Sequence, residues 1–502
     1  MTTSPSAGRV LQDGASEADP FPAPLAPQAG GDASAAMQNR DTTMWAADAL
    51  LPDGWARGVA LAWDAQGRLT EVRRGVAAEG RPVAAGPVLP GLPNLHSHAF
   101  QRGFCGLTEY RAQSADSFWS WRDLMYRFAA RLSPATLEAV ATWLYVEMLE
   151  AGYTSVCEFH YLHHDVDGRP YADDAELALA LLRAAERAGI GITLLPVLYQ
   201  NSGFGGGVPS AGQRRFIRGT DNMLALLQRL KPVCDAQPGA RRLGLAPHSL
   251  RAVTPEQLGV ALAGLDALDP AAPVHIHIAE QVKEVEDCIA WSGQRPVQWL
   301  LEHAEVGPRW CLVHATHMTP EEARAAARTG AVAGLCPSTE ANLGDGIFDM
   351  TNWRAGEGRW GVGSDSHAIV NAAEELMLLE YSLRFALRQR NVMATPEQPH
   401  VATAMTLAAV AGGAQASGRD IGGLCPGQQA DFVVLDPHAL PLAGLRAEDM
   451  LSAHVFGSHR TSALVETWVA GRRRVAGARH AAHGEAAAAF VAARSALIAT
   501  TS

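Results

Sequence analysis

The stretch "NLHSHAFQR", Asn94 to Arg102, sets two histidines one residue apart at the end of an apolar run. In a strand, side chains at i and i+2 share a face about 6.6 Å apart along the chain. His96 and His98 would therefore project together, as two imidazoles gripping one cation would. The bland alternative is a solvated edge on which two polar residues flank Ser97. Further along, His160, His248, His275, His277, His314 and Asp365 lie in or at the ends of other short apolar runs: "TSVCEFH", "LGLAPHS", "VHIHIAE", "CLVHATH" and "GVGSDS". Taken singly, each such histidine reads as a hydrogen-bonded structural residue. Taken together, histidines that end so many strands have no packing rationale. Imidazole and carboxylate groups converging on one point suit an ion such as Zn2+, with one position left open for water.

Convergence requires elements that bring distant segments to one place. With "LPNLHSH", "ITLLPVLY" and "AVAGLCP", the runs above make eight candidate strands between Pro90 and about residue 370. Helical stretches with clear start signals separate them. "SPATLEAVATWLYVEMLEAG" has Ser133 as N-cap, Pro134 in the first helical position and a stop at Gly152. "TPEQLGVALAGL" and "TPEEARAAARTG" carry capping boxes, Thr254 with Gln257 and Thr319 with Glu322. Strands alternating with helices imply a parallel sheet with crossover connections, and eight of them fit a closed (β/α)8 barrel. The carboxyl ends of all its strands converge on one face, where such barrels carry their active sites. The chain on either side reads as β: "TMWAADALLPDGW" and "GVALAWDAQGRLTEV" before the barrel, "GQQADFVVLD" and "SALVETWVAGRRRV" after it. The expected fold class is α/β, a TIM-like barrel with a small β-sandwich made from both ends of the chain. Its expected divisions are a disordered extension at 1–40, sandwich at 41–88, barrel at 89–400, sandwich again at 401–478 and a helical tail at 479–502.

Bulk properties narrow the class. The 502 residues are 48% hydrophobic and 19% charged, with a formal charge of −11. That balance argues against nucleic-acid or anionic-membrane partners, and no stretch is long and apolar enough to span a bilayer. Seven dispersed cysteines without C-x-x-C spacing fit neither a disulfide framework nor a cysteine–zinc site, and point to a reducing cytoplasm. The start, "MTTSPSAGRVLQDG", lacks the apolar core of a secretory signal. A homodimer is the base-rate expectation for assembly. Only two lysines occur, Lys231 and Lys283.

The ordered set "LHSH", "HIHIAE", "LVHATH" and "GSDS" resembles the amidohydrolase superfamily, metal-dependent (β/α)8 barrels flanked by a β-sandwich. The resemblance spans roughly residues 42 to 475 and implies His96, His98, His277 and Asp365 as metal ligands. Binuclear members commonly bridge two ions with a carbamylated lysine, and neither Lys231 nor Lys283 sits where that would work. Glu158 is the carboxylate that could bridge instead. A single ion is the better reading, and single-metal members of this kind are mostly deaminases with H-x-x-E after the fifth strand, here His277 to Glu280. That chemistry assigns Asp365 to the proton of an activated water, Glu280 to proton delivery to the departing nitrogen, and His314 to orienting the attacking oxygen and stabilising developing charge. For Glu280 the alternative is a helix-start carboxylate favoured by the macrodipole.

Several stretches without metal ligands to explain them, "SFWSWRDLMY", "CEFHYLHH", "TLLPVLYQNSGFGG" with "GQRRF", and "APHSLRAV", resemble formimidoylglutamate deiminases of histidine degradation. The implied reaction hydrolyses N-formimino-L-glutamate to N-formyl-L-glutamate and ammonia. A small dicarboxylate substrate needs cationic forks away from the metal, and arginine serves carboxylates best. The resemblance supplies Arg122 and Arg251 for this, with Gln101, Tyr161 and His248 as orienting donors. Trp119, Trp121 and Tyr126 beside Arg122 read as helix packing, and Gly203 to Gly207 as a mobile loop that could close over substrate. The competing readings are a related deaminase acting on an aminated purine- or pyrimidine-type ring, and a barrel that has lost catalysis and serves as a scaffold.

Overall fold

The computed structural model describes residues 42–109, 118–457 and 463–499, apart from the side chains of 118–120 and 123. The extension expected at 1–40 lies outside the described residues, as does the side chain of Trp119. All eight expected barrel strands form. They are Leu92–Ser97, Tyr153–His160, Gly191–Leu198, the pair Arg241–Leu243 and Ala246–Pro247, Val274–Ile278, Trp310–His314, Val332–Leu335 and Arg359–Val362. Neighbours pair in parallel in chain order. Single bridges close the ring, Leu245 to Val274 and Ser97 to Asp365. The second closure depends on Gly363, because a Cβ there would lie 2.7 Å from the His96 nitrogen and 2.9 Å from its Cβ. Only at that approach does the Asp365 N–H reach the His96 carbonyl (3.0 Å) and the His98 N–H the Asp365 carbonyl (3.3 Å).

The crossover helices begin where their caps predict. Ser133 caps Pro134–Glu150, sharing a reciprocal pair of bonds with Thr136; Thr254 caps Pro255–Leu268; Thr319 caps Pro320–Arg328. Each cap satisfies N–H groups that the first helical turn leaves unpaired, contributing about 1 kcal/mol. The chain ends meet in one eight-stranded sheet, in which Val88–Pro90 runs antiparallel to Phe432–Leu435 and pairs in parallel with Thr43–Leu51. The sheet folds over its own core: Trp63 of Gly54–Trp63 meets Phe432 and Trp468 at ring separations of 6.0 and 5.9 Å. "ETWVAGRRR" forms the expected hairpin, turning at Ala470 and Gly471, both at positive φ. The helix Val401–Ser417 lies against the barrel, although the expected boundary put it with the sandwich. Its Gly412 and Gly413 let it press on Trp360 and Pro93 of the last and first barrel strands. No described helix is long and apolar enough to cross a membrane.

Candidate active site

Strand periodicity and barrel closure together build the cluster. His96 and His98 project from the end of the first strand, His277 from the fifth, His314 from the sixth, and Asp365 follows the eighth. The His96 Nε2 atom is 3.1 Å from His98 Nε2 and 2.9 Å from His277 Nε2, and Asp365 Oδ1 is 3.4 and 3.3 Å from the Nε2 atoms of His96 and His98. All four are buried. His98 Nδ1 lies 2.9 Å from the Phe159 carbonyl and His277 Nδ1 3.2 Å from the His248 carbonyl. Those carbonyls only accept, so each Nδ1 carries the proton and each Nε2 presents a lone pair. His96 Nε2 has one proton at most to offer two such neighbours, so one contact is lone pair against lone pair. Burial holds His96 at about 3 and pulls His98 and His277 down as well, so the rings stay neutral. A cation removes the conflict. Tetrahedral ligands about 2.0–2.1 Å from a centre stand about 3.3–3.4 Å apart, close to the spacing seen. The donor set therefore fits a divalent metal ion.

The acid–base groups flank this cluster. Burial pushes the Glu280 carboxyl up to about 7, against the pull of His314 and Arg251. Burial also opposes charge on His314, but Glu280, Glu340 and Asp365 outweigh it and raise the imidazole to about 10. His314 Nε2 is 3.8 Å from Glu280 Oε1 and 3.7 Å from Asp365 Oδ2, and its Nδ1 is 3.4 Å from Glu340 Oε1. Despite burial, hydrogen bonding from His96 and the charge on His314 hold Asp365 well below the usual carboxylate range. The backbone here is turned to reach these positions, with φ of 50° at Ala279, 64° at His314, 49° at Ala315 and 42° at Asp365. Such strain clusters at functional sites, where the surrounding structure over-determines it. Buried Glu284 pins the turn before Glu280, accepting the Ala279 and Glu280 N–H groups at 3.1 and 3.2 Å.

A cavity opens over the cluster, and Gln101, Arg122, Tyr161, His248 and Arg251 all line it beside His98, His277, Glu280, His314 and Asp365. Gln101 Nε2 donates to the Tyr161 hydroxyl at 2.8 Å while its Oε1 is buried without a partner. Arg251 is mostly enclosed, its Nη2 3.9 Å from both Glu280 Oε2 and Glu284 Oε2. Sequence reasoning missed Tyr199 and Phe216, which also line the cavity; Gln213 of "GQRRF" holds Tyr199 by a 2.8 Å bond to its hydroxyl. Tyr199 follows a continuous apolar run and Phe216 lies in a loop, so spacing gave no signal for either. Trp121 and Tyr126 face the same cavity, so packing alone does not describe them.

Three other expectations change. Glu158 does not face the cluster: it accepts from the Ser97 hydroxyl (2.6 Å), the Ala99 N–H (2.7 Å) and the Tyr145 hydroxyl (3.1 Å). Its neighbour Phe159 faces in, 4.3 Å from His277 between ring centres, and successive strand residues point to opposite faces. By the same alternation His160 turns away and packs beside His163. His275 shares the face of His277 but lies two residues nearer the start of the strand, where it approaches the Ala416 carbonyl at 2.8 Å, below the cluster. The glycine loop carries contacts of its own, with Phe204 stacked on Trp291 and Ser202 N–H bonded to the Gly207 carbonyl. Lys231 and Lys283 are paired with Asp235 and Asp287 on helices and take no part in the site.

The amidohydrolase family model matches residues 88–474. The chain belongs to the amidohydrolase family. Among amidohydrolases it is 54% identical over 452 residues to the formimidoylglutamate deiminase of Pseudomonas aeruginosa, covering 90% of this chain and 98% of that one. Residues 41–81 match the formimidoylglutamate deiminase HutF N-terminal domain. An 8-oxoguanine deaminase of the same organism is 30% identical, covering 73% of this chain and 77% of its own length. Among solved structures, an amidohydrolase from Brucella melitensis superposes with a TM-score of 0.86 at 49% identity, over 91% of this chain and 99% of that one. A zinc-bound adenosine deaminase from Xanthomonas campestris, at 22% identity and a TM-score of 0.75 over 91% of this chain and 99% of its own, shares the fold.

Proposed function

We propose that this amidohydrolase hydrolyses N-formimino-L-glutamate to N-formyl-L-glutamate and ammonia, a step of histidine degradation, using one zinc ion held by His96, His98, His277 and Asp365. The observation that carries the reading is a single cavity lined both by Arg122 and Arg251 and by the metal-ligand cluster, with Glu280 beside Arg251. The high identity to the Pseudomonas aeruginosa formimidoylglutamate deiminase supports the same substrate. A bound divalent cation supplies Lewis-acid activation of water at neutral pH. Asp365, kept ionised, receives the proton released from that water. Glu280, poised near 7, passes a proton to the amidine nitrogen so that it leaves as ammonia. Protonated His314 donates to the oxygen on which negative charge develops. Arg122 and Arg251 take the two substrate carboxylates, and Gln101, Tyr161 and His248 orient the amidine end. A single ion is favoured because Glu158 is turned away and no lysine reaches the cluster.

Seven free cysteines, five of them buried, accord with a reducing cytoplasm, and a homodimer is the assembly expected on base rates. An ammonia-release assay across formimino-amino acids and aminated purines tests the substrate. Turnover should be confined to formimino dicarboxylates; preference for a neutral ring would replace this reading with that of a ring deaminase.

A further inference from the structure

At the opposite end of the barrel, the start of the fourth strand, the segment leading into it and the sheet strand Arg472–Ala476 border a cleft of about 830 Å³. Six arginines line it, and three are neutralised: Arg68 by Asp420 at 2.9 Å, Arg241 by Glu186 at 2.9 Å and Arg242 by Asp269 at 2.7 Å. The remaining three, Arg419, Arg472 and Arg474, have no carboxylate within ion-pair distance among the described residues. The acidic groups of the cleft are engaged elsewhere. Asp235 pairs with Lys231, Asp420 with Arg68, and Asp64 accepts the N–H groups of Gln66 and Arg68. Behind the cleft, buried Asp431 accepts from Ala470 N–H, one carboxylate against three cations.

The guanidinium groups sit in a made-to-measure recess. A Cβ on Gly191 would stand 2.1 Å from Arg419 Nη1, and one on Gly189 2.4 Å from Arg474 Cζ. Gly189 has a second reason to be glycine, since it ends its helix at φ 72°. Gly191 has no positive φ, so its missing side chain serves space alone. Arg419 makes one hydrogen bond, Nη2 to the Gly239 carbonyl at 2.7 Å, while its Nη1 and Arg474 Nε are enclosed without a partner. Gln429, only 4% exposed, lines the same cleft, but its unpartnered Oε1 is an acceptor and offers an anion no bond. Burial pulls both Arg419 and Arg474 below the usual arginine range, although Asp431 opposes it. Enclosed cations such as Arg419 and Arg474 that no carboxylate pairs directly are costly, and an anion relieves that cost through forked charge-assisted bonds.

We infer that this cleft binds a small oxyanion with two or more negative charges, a polycarboxylate or a phosphate, through Arg419, Arg472 and Arg474. The test is calorimetric titration of the full-length, metal-loaded protein with inorganic phosphate and with citrate at fixed ionic strength. Saturable binding of at least one is expected, weakened about tenfold or more in the Arg419→Gln/Arg474→Gln double variant, since two charge-assisted contacts are lost. Ammonia release should be unchanged without added anion. Preference for phosphate identifies a phosphorylated ligand, and preference for citrate a polycarboxylate. Equal affinity in the double variant, or no saturable binding of either anion, overturns the inference. Should that variant fail to fold, exposed Arg472→Glu carries the same test: weakened binding supports the site and unchanged affinity overturns it.

Discussion

Replacing Glu280 by glutamine tests the proton-transfer role and, separately, the electrostatics that prepare it. The substitution conserves volume at a buried position and leaves His96, His98, His277 and Asp365 intact, so metal content should not change. A missing general acid–base group costs about 10²- to 10⁴-fold, or about 3–5 kcal/mol in the barrel's catalytic barrier at 1.36 kcal/mol per decade. Ammonia release at saturating substrate should fall by that factor. The second readout is stability of the metal-free protein. Burial raises the Glu280 carboxyl from 4.5 to about 7, so its protonated form is favoured by folding. That contribution is full below pH 4.5 and is lost as pH rises through about 7. The ionised carboxylate therefore weakens the fold by roughly 3 kcal/mol at most at pH 8. Glu280→Gln should then be inactive yet no less stable than the parent at pH 8, and comparatively less favoured near pH 4. A metal-replete variant that keeps more than a tenth of parental turnover would refute the catalytic role. One that unfolds more readily at pH 8 would refute the electrostatic reasoning.

Arg122→Met and Arg251→Met should each raise KM for the formimino dicarboxylate about tenfold or more, one lost charge-assisted contact being about 1.5–3 kcal/mol. An unchanged KM in both would remove them from carboxylate binding. Asp365→Asn should abolish turnover with the fold retained by circular dichroism, and normal activity would refute its assignment. His160, held at about 3 chiefly by burial with Arg218 and Arg215 adding to it, contributes stability that is full above pH 6.5 and lost as pH falls through about 3. His160→Gln should therefore flatten the acid-side decline in unfolding free energy, extrapolated from urea titrations, between pH 6 and 4 by up to about 1.4 kcal/mol per pH unit. Parallel declines in parent and variant would contradict this.

What was legible in the sequence follows from what is local. Strand period 2 and strand-end positions placed His96, His98, His277, His314 and Asp365 among a wider set of candidates, because barrel topology sends all strand ends to one face, and the resemblance to amidohydrolases picked them out of that set. Caps were legible for the same reason: Thr254 and Thr319 meet partners three residues away. Facing was harder to read. Glu158 and His160 have the residue types and strand-end positions of cluster members, and only the absolute phase of their strand turns them outward, while His275 has the right phase and sits too near the start of its strand to reach the cluster. Contacts made by loops were illegible, since Tyr199, Phe216 and Gln213 meet through chain crossings rather than spacing. Supporting carboxylates such as Glu284 and Glu340 were missed because their role is to hold backbone and imidazole N–H groups, which no motif announces.

The account turns on one divalent ion in the cluster of His96, His98, His277 and Asp365. Its most direct test is titration of chelator-stripped protein with zinc, following ammonia release and bound metal together. Activity should return in proportion and saturate at one equivalent per chain, with no recovery in His98→Ala. Saturation at two equivalents, or full turnover in protein that retains no metal, would contradict it.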